Sequence, residues 1–293
     1  MPTRPMPGPF IKWAGGKSQL LDAILPRLPG RIRTYREPFV GGGAVFFALA
    51  RQRRFERAVL SDQNADLIGV YRVVRDDVEA LIEHLAALAP RAKDPDTFYA
   101  LRAQKTRDLA AVEQAARFIF LNKTCFNGLY RVNRKGQFNV PFGRYRNPKV
   151  LDTELLRSCS RALASVELEV QDFEESAKNA GPGDAVYFDP PYVPVSPTAS
   201  FTAYHRDPFG PDAHDRLARV AEACWRRGAH ALVSNSDCPF TRKLYARSRV
   251  ETVQAGRAIN RDPTRRGPVT ELLVVGPERP AALERVSSAG SAA

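Results

Sequence analysis

The residues best placed to do chemistry are Asp189-Pro190-Pro191-Tyr192. They supply a carboxylate, a backbone carbonyl fixed in direction by two prolines, and a flat aromatic ring within four positions. A planar ring bearing an exocyclic NH2 suits that set: carboxylate and carbonyl each accept one N–H, and the ring stacks on Tyr192. An aromatic NH2 is a poor nucleophile because its lone pair is delocalised. Two acceptors placed off the ring plane draw the nitrogen towards tetrahedral geometry and free that pair, which is preorganised stabilisation of a transition state. The chemistry that needs such a clamp is methyl transfer to an amino group. An Asp that merely caps a turn before two prolines would look the same in isolation, so the rest of the chain has to decide.

Val186, Tyr187 and Phe188 favour a strand, and Pro190 and Pro191 cannot continue one. Asp189 is therefore expected at the carboxyl end of a strand, where open α/β sheets hold their ligands. Upstream, Tyr35 to Phe47 reads as a strand, a turn at Gly41-Gly42-Gly43, then an apolar helix, so a ligand can lie against bare backbone near a helix N-terminus. A second strand, Ala58 to Asp62, ends in an acid about 20 residues past Gly41, the spacing at which a carboxylate reaches ribose hydroxyls. Asp62 could equally cap the helix that follows. Gly16-Lys17-Ser18 resembles part of a phosphate-binding loop, but Ile11 stands where that motif needs a glycine.

With 293 residues and 44 Lys plus Arg against 32 Asp plus Glu, the chain carries +12. That excess favours a polyanionic partner. No apolar run is long enough to cross a membrane, and Met1 to Pro9 lacks the apolar core of a signal peptide. Cys125, Cys159, Cys224 and Cys238 are scattered without metal-ligand spacing and read as reduced thiols of a cytoplasmic protein; no metal site is expected.

From about residue 66 to 151 the rhythm changes. Helices are expected over Leu67 to Val74, Asp77 to Leu88, Thr97 to Ala103 and Leu109 to Leu121, then a β-hairpin turning at Arg134-Lys135-Gly136. No acidic residue lies between Glu113 and Asp152. That window holds Arg117, Lys123, Arg131, Arg134, Lys135, Arg144, Arg146 and Lys149, interleaved with Phe126, Tyr130, Phe138, Phe142 and Tyr145. One sign of charge among aromatics is the footprint of nucleic-acid contact. Strands then resume at Val166 to Val170, at His230 to Val233 after a helix from Pro211 to Arg227, and as a closing pair, Arg249 to Val253 with Thr270 to Val275. The loop from Val193 to Tyr204, the arginine-rich Arg257 to Gly267 and the tail 277–293 are expected to be irregular.

Lys12-Trp13-Ala14-Gly15-Gly16-Lys17, Glu37-Pro38-Phe39-Val40-Gly41, Asn127-Gly128-Leu129, Phe138 to Gly143 and Asp189-Pro190-Pro191-Tyr192 together make the chain resemble the Dam family of DNA adenine-N6 methyltransferases, in the α-type motif order (the D12 class), from about Phe10 to Val275. The resemblance implies a Rossmann-like α/β sheet with one antiparallel strand, formed by residues 1–65 and 152–276, and an inserted helical and β-hairpin target-recognition domain at 66–151. It implies S-adenosylmethionine as methyl donor and double-stranded DNA as partner, with a flipped adenine methylated, commonly within GATC. Asp189, Pro190 and Tyr192 match the catalytic positions. Trp13, Lys17, Phe39, Gly41, Gly43, Asp62, Asp172, Phe173 and Asp189 match the cofactor contacts. Lys12, Phe126, Asn127, Leu129, Arg131, Pro141, Arg144 and Tyr145 match the DNA contacts. Phe126 stands where the family has tyrosine, which keeps stacking and loses a hydroxyl. A monomer gathered on the nucleoid through DNA is expected. Cytosine-N4 and protein-glutamine relatives carry Ser or Asn in place of Asp189.

Overall fold

The computed structural model describes residues 5–193, 209–256 and 268–277. The expectations for most of the loop after Val193, for Arg257 to Gly267 and for the tail lie outside the described residues, apart from Pro277, which ends a strand.

Seven strands form one sheet: β1 Ile32–Glu37, β2 Phe55–Asp62, β3 Glu167–Val170, β4 Ala185–Phe188, β5 His230–Ser236, β6 Ser248–Gly256 and β7 Pro268–Pro277, in the order β3-β2-β1-β4-β5-β7-β6. β1 to β5 are mutually parallel, and β7 runs antiparallel to both neighbours. The order reverses between β1 and β4, which places a ligand crevice at their carboxyl ends. Strand alternation explains why both faces are apolar. Tyr187, Leu232 and Leu273 pack into one core, while Val186, Phe188, Ala231, Val233 and Val274 pack into another on the opposite face.

The helices are α1 Leu21–Ile24, α2 Ala44–Arg51, α3 Ala65–Asp76, α4 Val78–Leu88, α5 Pro95–Ala103, α6 Ala111–Thr124, α7 Thr153–Leu163, α8 Phe173–Ala177, α9 Pro211–Arg226 and α10 Pro239–Leu244. Four start at side-chain caps: Asn64 for α3, Asp94 for α5, Asp152 for α7 and Asp172 for α8. The α3–α6 helices share the first core with the sheet.

Sequence patterning located the strands and α2 to α6 and α9 to within a few residues, but not α1, α7, α8 and α10. The expected hairpin is reduced to one bridge, Val132 to Phe138, around a tight turn. Asn133, rather than a strand ladder, closes it: its Oδ1 accepts the Lys135 and Gln137 backbone N–H groups. The four cysteines are free, and no helix among the described residues is long and apolar enough to cross a membrane.

Candidate active site and nucleic-acid face

β4 carries Phe188 fully buried, and the chain turns at Asp189, whose side chain is 18% exposed. Lys17 Nζ lies 2.8 Å from Asp189 Oδ1, and Ser234 Oγ on β5 donates to the same oxygen at 2.9 Å. Tyr187 and Ser234 hydroxyls are 3.0 Å apart; with the serine proton given to Asp189, the tyrosine is the donor. Both anchors fall on Oδ1, so among the described residues Oδ2 accepts no hydrogen bond. The carboxylate is thus anchored through one oxygen, and no described residue hydrogen-bonds the other.

Lys17 is 5% exposed, donates to the Gly15 carbonyl at 2.6 Å, and stands 4.6 Å from the centre of the Tyr192 ring. The ring is fixed at its far end by Tyr192 Oη, which donates to Glu271 Oε2 on β7 at 2.6 Å. Burial, together with Asp189 and Glu271 nearby, pushes the Tyr192 phenol well above its ordinary value, so the ring stays neutral. Ser234 and Glu271 escaped the sequence reading. Their role depends on which strands neighbour β4 and β7, and only the position of Ser234 at a strand end hinted at it.

The expected cofactor residues come together along the carboxyl ends of β1 to β4. Gly41 adopts φ +46°, its carbonyl accepts from Tyr71 Oη at 3.0 Å, and a Cβ there would meet the Trp13 indole at 2.5 Å. Gly43 forms the N-cap of α2. Asp62 ends β2, 6% exposed, and accepts the Asn64 N–H; Asn64 itself caps α3, so the alternative role for Asp62 as the helix cap falls to its neighbour. Asp172 caps α8 and binds Arg216 at 2.6 Å and Gln63 at 2.8 Å. Phe173 is buried, covered by Phe39 at 5.5 Å and by the Arg216 guanidinium at 4.4 Å, so Phe39 presents the more accessible ring. Carboxylates at the ends of adjacent strands, a bare glycine turn and a flat aromatic surface are the donor set that a nucleoside carrying an amino-acid arm requires. Among the described residues no group of three or more His, Cys, Asp or Glu could hold a metal ion.

Glu37 is buried beneath this crevice, where its Oε2 accepts from Tyr35 Oη at 2.8 Å and from the Phe46 N–H at 3.1 Å. Burial is the largest influence and raises it from 4.5 to about 8, with Asp189 acting in the same direction. The folded protein therefore keeps a proton that the unfolded chain releases, and stability falls as pH rises from the ordinary carboxylate range through about 8. Burial lowers His214 to about 4 and lowers His230, which works the other way at acid pH. Glu37→Gln isolates the carboxylate. The melting temperature of wild type should lose a few degrees relative to the variant between pH 5 and 8.5. Parallel melting curves would contradict an uncharged Glu37.

The basic, aromatic segment around Phe126 to Tyr145 is tied to the loop at Lys12. Asn122, 1% exposed, accepts the Lys12 N–H and donates to the Lys12 and Gly128 carbonyls. This binds the loop carrying Lys12 to the turn Phe126–Gly128. Gly128 has φ +63°, and a Cβ would lie 2.4 Å from the Lys12 chain, whose ammonium sits 4.0 Å from the Tyr145 ring centre. Phe126 is 49% exposed; Asn127, Pro141 and Arg144 are exposed, and Leu129, Arg131 and Tyr145 half-buried. Trp13 stacks on Tyr130, which stacks on Phe118.

Two members of the basic window need correction. Arg117 is 7% exposed and donates to the Leu101 and Arg102 carbonyls, so it ties α5 to α6 rather than facing a partner. Lys149 pairs with Asp152 at 2.5 Å, which neutralises part of its charge.

Residues 13–259 match the D12 class N6 adenine-specific DNA methyltransferase family. The chain is 43% identical over 283 residues to the type II methyltransferase M.MjaIII of Methanocaldococcus jannaschii, covering 91% of this chain and 98% of that protein. It is 40% identical to the type II methyltransferase M1.LlaDCHI of Lactococcus lactis subsp. cremoris over 91% of this chain and 94% of the other. It is 36% identical to the DNA adenine methylase of Escherichia coli K12, again over 91% and 94%. With a family match over residues 13–259 and relatives 36–43% identical across 91% of its length, the chain belongs to the D12 class of N6 adenine-specific DNA methyltransferases.

Proposed function

We propose that this adenine-specific DNA methyltransferase acts on an adenine turned out of duplex DNA, within GATC. The observation that carries the reading is the Asp189 carboxylate held through Oδ1 by Lys17 and Ser234, with the Tyr192 ring 4.6 Å from the same Lys17 ammonium. A base inside a duplex cannot reach such a site, so it must leave the stack. S-adenosylmethionine supplies an electrophilic methyl group on a sulfonium centre. Trp13, Lys17, Phe39, Gly41, Gly43, Asp62, Asp172 and Phe173 would hold it along the strand ends. Asp189 Oδ2 and the Pro190 carbonyl would accept the two N6 hydrogens, Tyr192 would stack on the adenine, and the freed lone pair would attack in line. Lys17, paired to Asp189 Oδ1, holds the carboxylate's direction.

Lys12, Phe126, Asn127, Leu129, Arg131, Pro141, Arg144 and Tyr145 would form the DNA face, with residues 66–151 as its recognition unit. The exposed Phe126 suits stacking in the space that a flipped base leaves. Type II methyltransferase relatives favour a restriction-modification setting. Methylation rates on a GATC duplex and on each single-base variant test the target. Comparable rates on all of them would refute GATC.

Charge on this face predicts steep salt dependence, with a log–log slope of about −0.9 per phosphate neutralised. Arg146 is exposed and, among the described residues, makes no ion pair. Arg146→Ala should flatten the slope by about one unit, and Lys149→Ala by less because Asp152 already offsets its charge. Titrations of duplex affinity against salt check this; equal slopes in all three proteins would contradict it.

A further inference from the structure

Arg131 and Asn139 face one another across the recognition turn. The Asn139 N–H donates to the Arg131 carbonyl at 3.0 Å, and Arg131 Nε donates to Asn139 Oδ1 at 2.7 Å. The bracket is stiff on both sides. Asn133 closes the turn through Lys135 and Gln137, Val132 bridges Phe138, and Phe138 packs on the buried Tyr130. Among the described residues the Arg131 guanidinium makes no other hydrogen bond or ion pair.

A guanidinium can present two parallel donors end-on, through its two Nη groups, or side-on, through Nε and one Nη. Here Nε is spent on Asn139, so only the end-on fork remains. That fork matches O6 and N7 of guanine. An arginine free to rotate would satisfy a phosphate equally well and carry no sequence information. We infer that Asn139 is the residue that makes Arg131 a base reader: by holding Nε it fixes the plane of the guanidinium and leaves the end-on pair for one guanine of the target. The inference rests on the reading of Arg131 as a guanine contact, and the experiment separates the two.

kcat/KM is measured for wild type, Arg131→Ala, Asn139→Ala and Asn139→Asp on a GATC duplex and on duplexes changed at each single base pair. Arg131→Ala should lose discrimination at one guanine. Asn139→Ala should lose about tenfold at that same guanine and leave the other positions unchanged, because the donors remain but their direction does not. Asn139→Asp still accepts from Nε. It should restore the discrimination ratio to near wild type even though its charge lowers kcat/KM on every duplex. A merely structural asparagine would not be rescued at one base pair. If Asn139→Ala is not stably folded, Asn139→Ser, too short to reach Nε, gives the same comparison.

Discrimination unchanged in Asn139→Ala but lost in Arg131→Ala would overturn the inference alone. So would a loss at a different base pair, which would make Asn139 a reader in its own right, or a failure of Asn139→Asp to restore the ratio. Unchanged ratios in Arg131→Ala would instead overturn the reading of Arg131, and this inference with it.

Discussion

Asp189→Asn should lower methyl transfer by at least ~10²–10³-fold while duplex affinity stays near wild type, the size of loss expected when a preorganised group at a transition state is removed. The direction follows from which oxygen is anchored. Lys17 and Ser234 both donate to Oδ1, so the amide oxygen of an asparagine must take that place. Its NH2 then lies where Oδ2 stood. A donor would face the N–H that the carboxylate should accept, and the amine would be repelled rather than drawn towards tetrahedral geometry. Asp189→Ala is a poorer test. It strips the partner from a lysine that is 5% exposed, and breaking one side of such a buried pair costs about 3–5 kcal/mol. Loss of activity in the alanine variant would therefore mix chemistry with instability. Single-turnover transfer of labelled methyl, with melting curves alongside, separates the two. An asparagine variant within tenfold of wild type would sink the clamp.

Arg131→Ala should cost about 1–3 kcal/mol of discrimination at one guanine, roughly a 5- to 150-fold loss of preference there. Arg131 follows the turn that displays Phe126 and Asn127, and it is half-buried rather than spread over the surface. A fixed fork reads a base edge, whereas a mobile one settles on the backbone. If Arg131 held only a phosphate, all sites would weaken together and the salt slope would drop by about one unit. The ratio between cognate and single-variant duplexes distinguishes these outcomes. An unchanged ratio would refute base reading.

The parts legible in the sequence were those written in local backbone chemistry. Gly41 to Gly43 and Pro190-Pro191 end β1 and β4, and Asp62 was reached by its spacing from Gly41, so the strand ends carrying these acids could be placed before the sheet was known. The anchors of Asp189 and Tyr192 were not legible. Ser234 and Glu271 lie 45 and 79 residues away from them in sequence, and their approach depends on the order β4-β5-β7, which no local pattern encodes. Charge was read too simply in one place. Arg117 sits in the run Ala115 to Asn122, buried on every side of α6, and an apolar helix all round was the available sign that its guanidinium would turn inward to the Leu101 and Arg102 carbonyls. The hairpin was located correctly but overestimated in regularity, because Asn133 satisfies the turn's N–H groups that a ladder would otherwise use.

The most direct test is to incubate the protein with methyl-labelled S-adenosylmethionine and duplex DNA, digest to nucleosides, and identify the labelled species for wild type and Asp189→Asn. The label should appear in N6-methyl-2′-deoxyadenosine with wild type and fall by at least ~10² with the variant. Label in N4-methylcytosine, or equal labelling by the two proteins, would contradict an adenine clamp centred on Asp189.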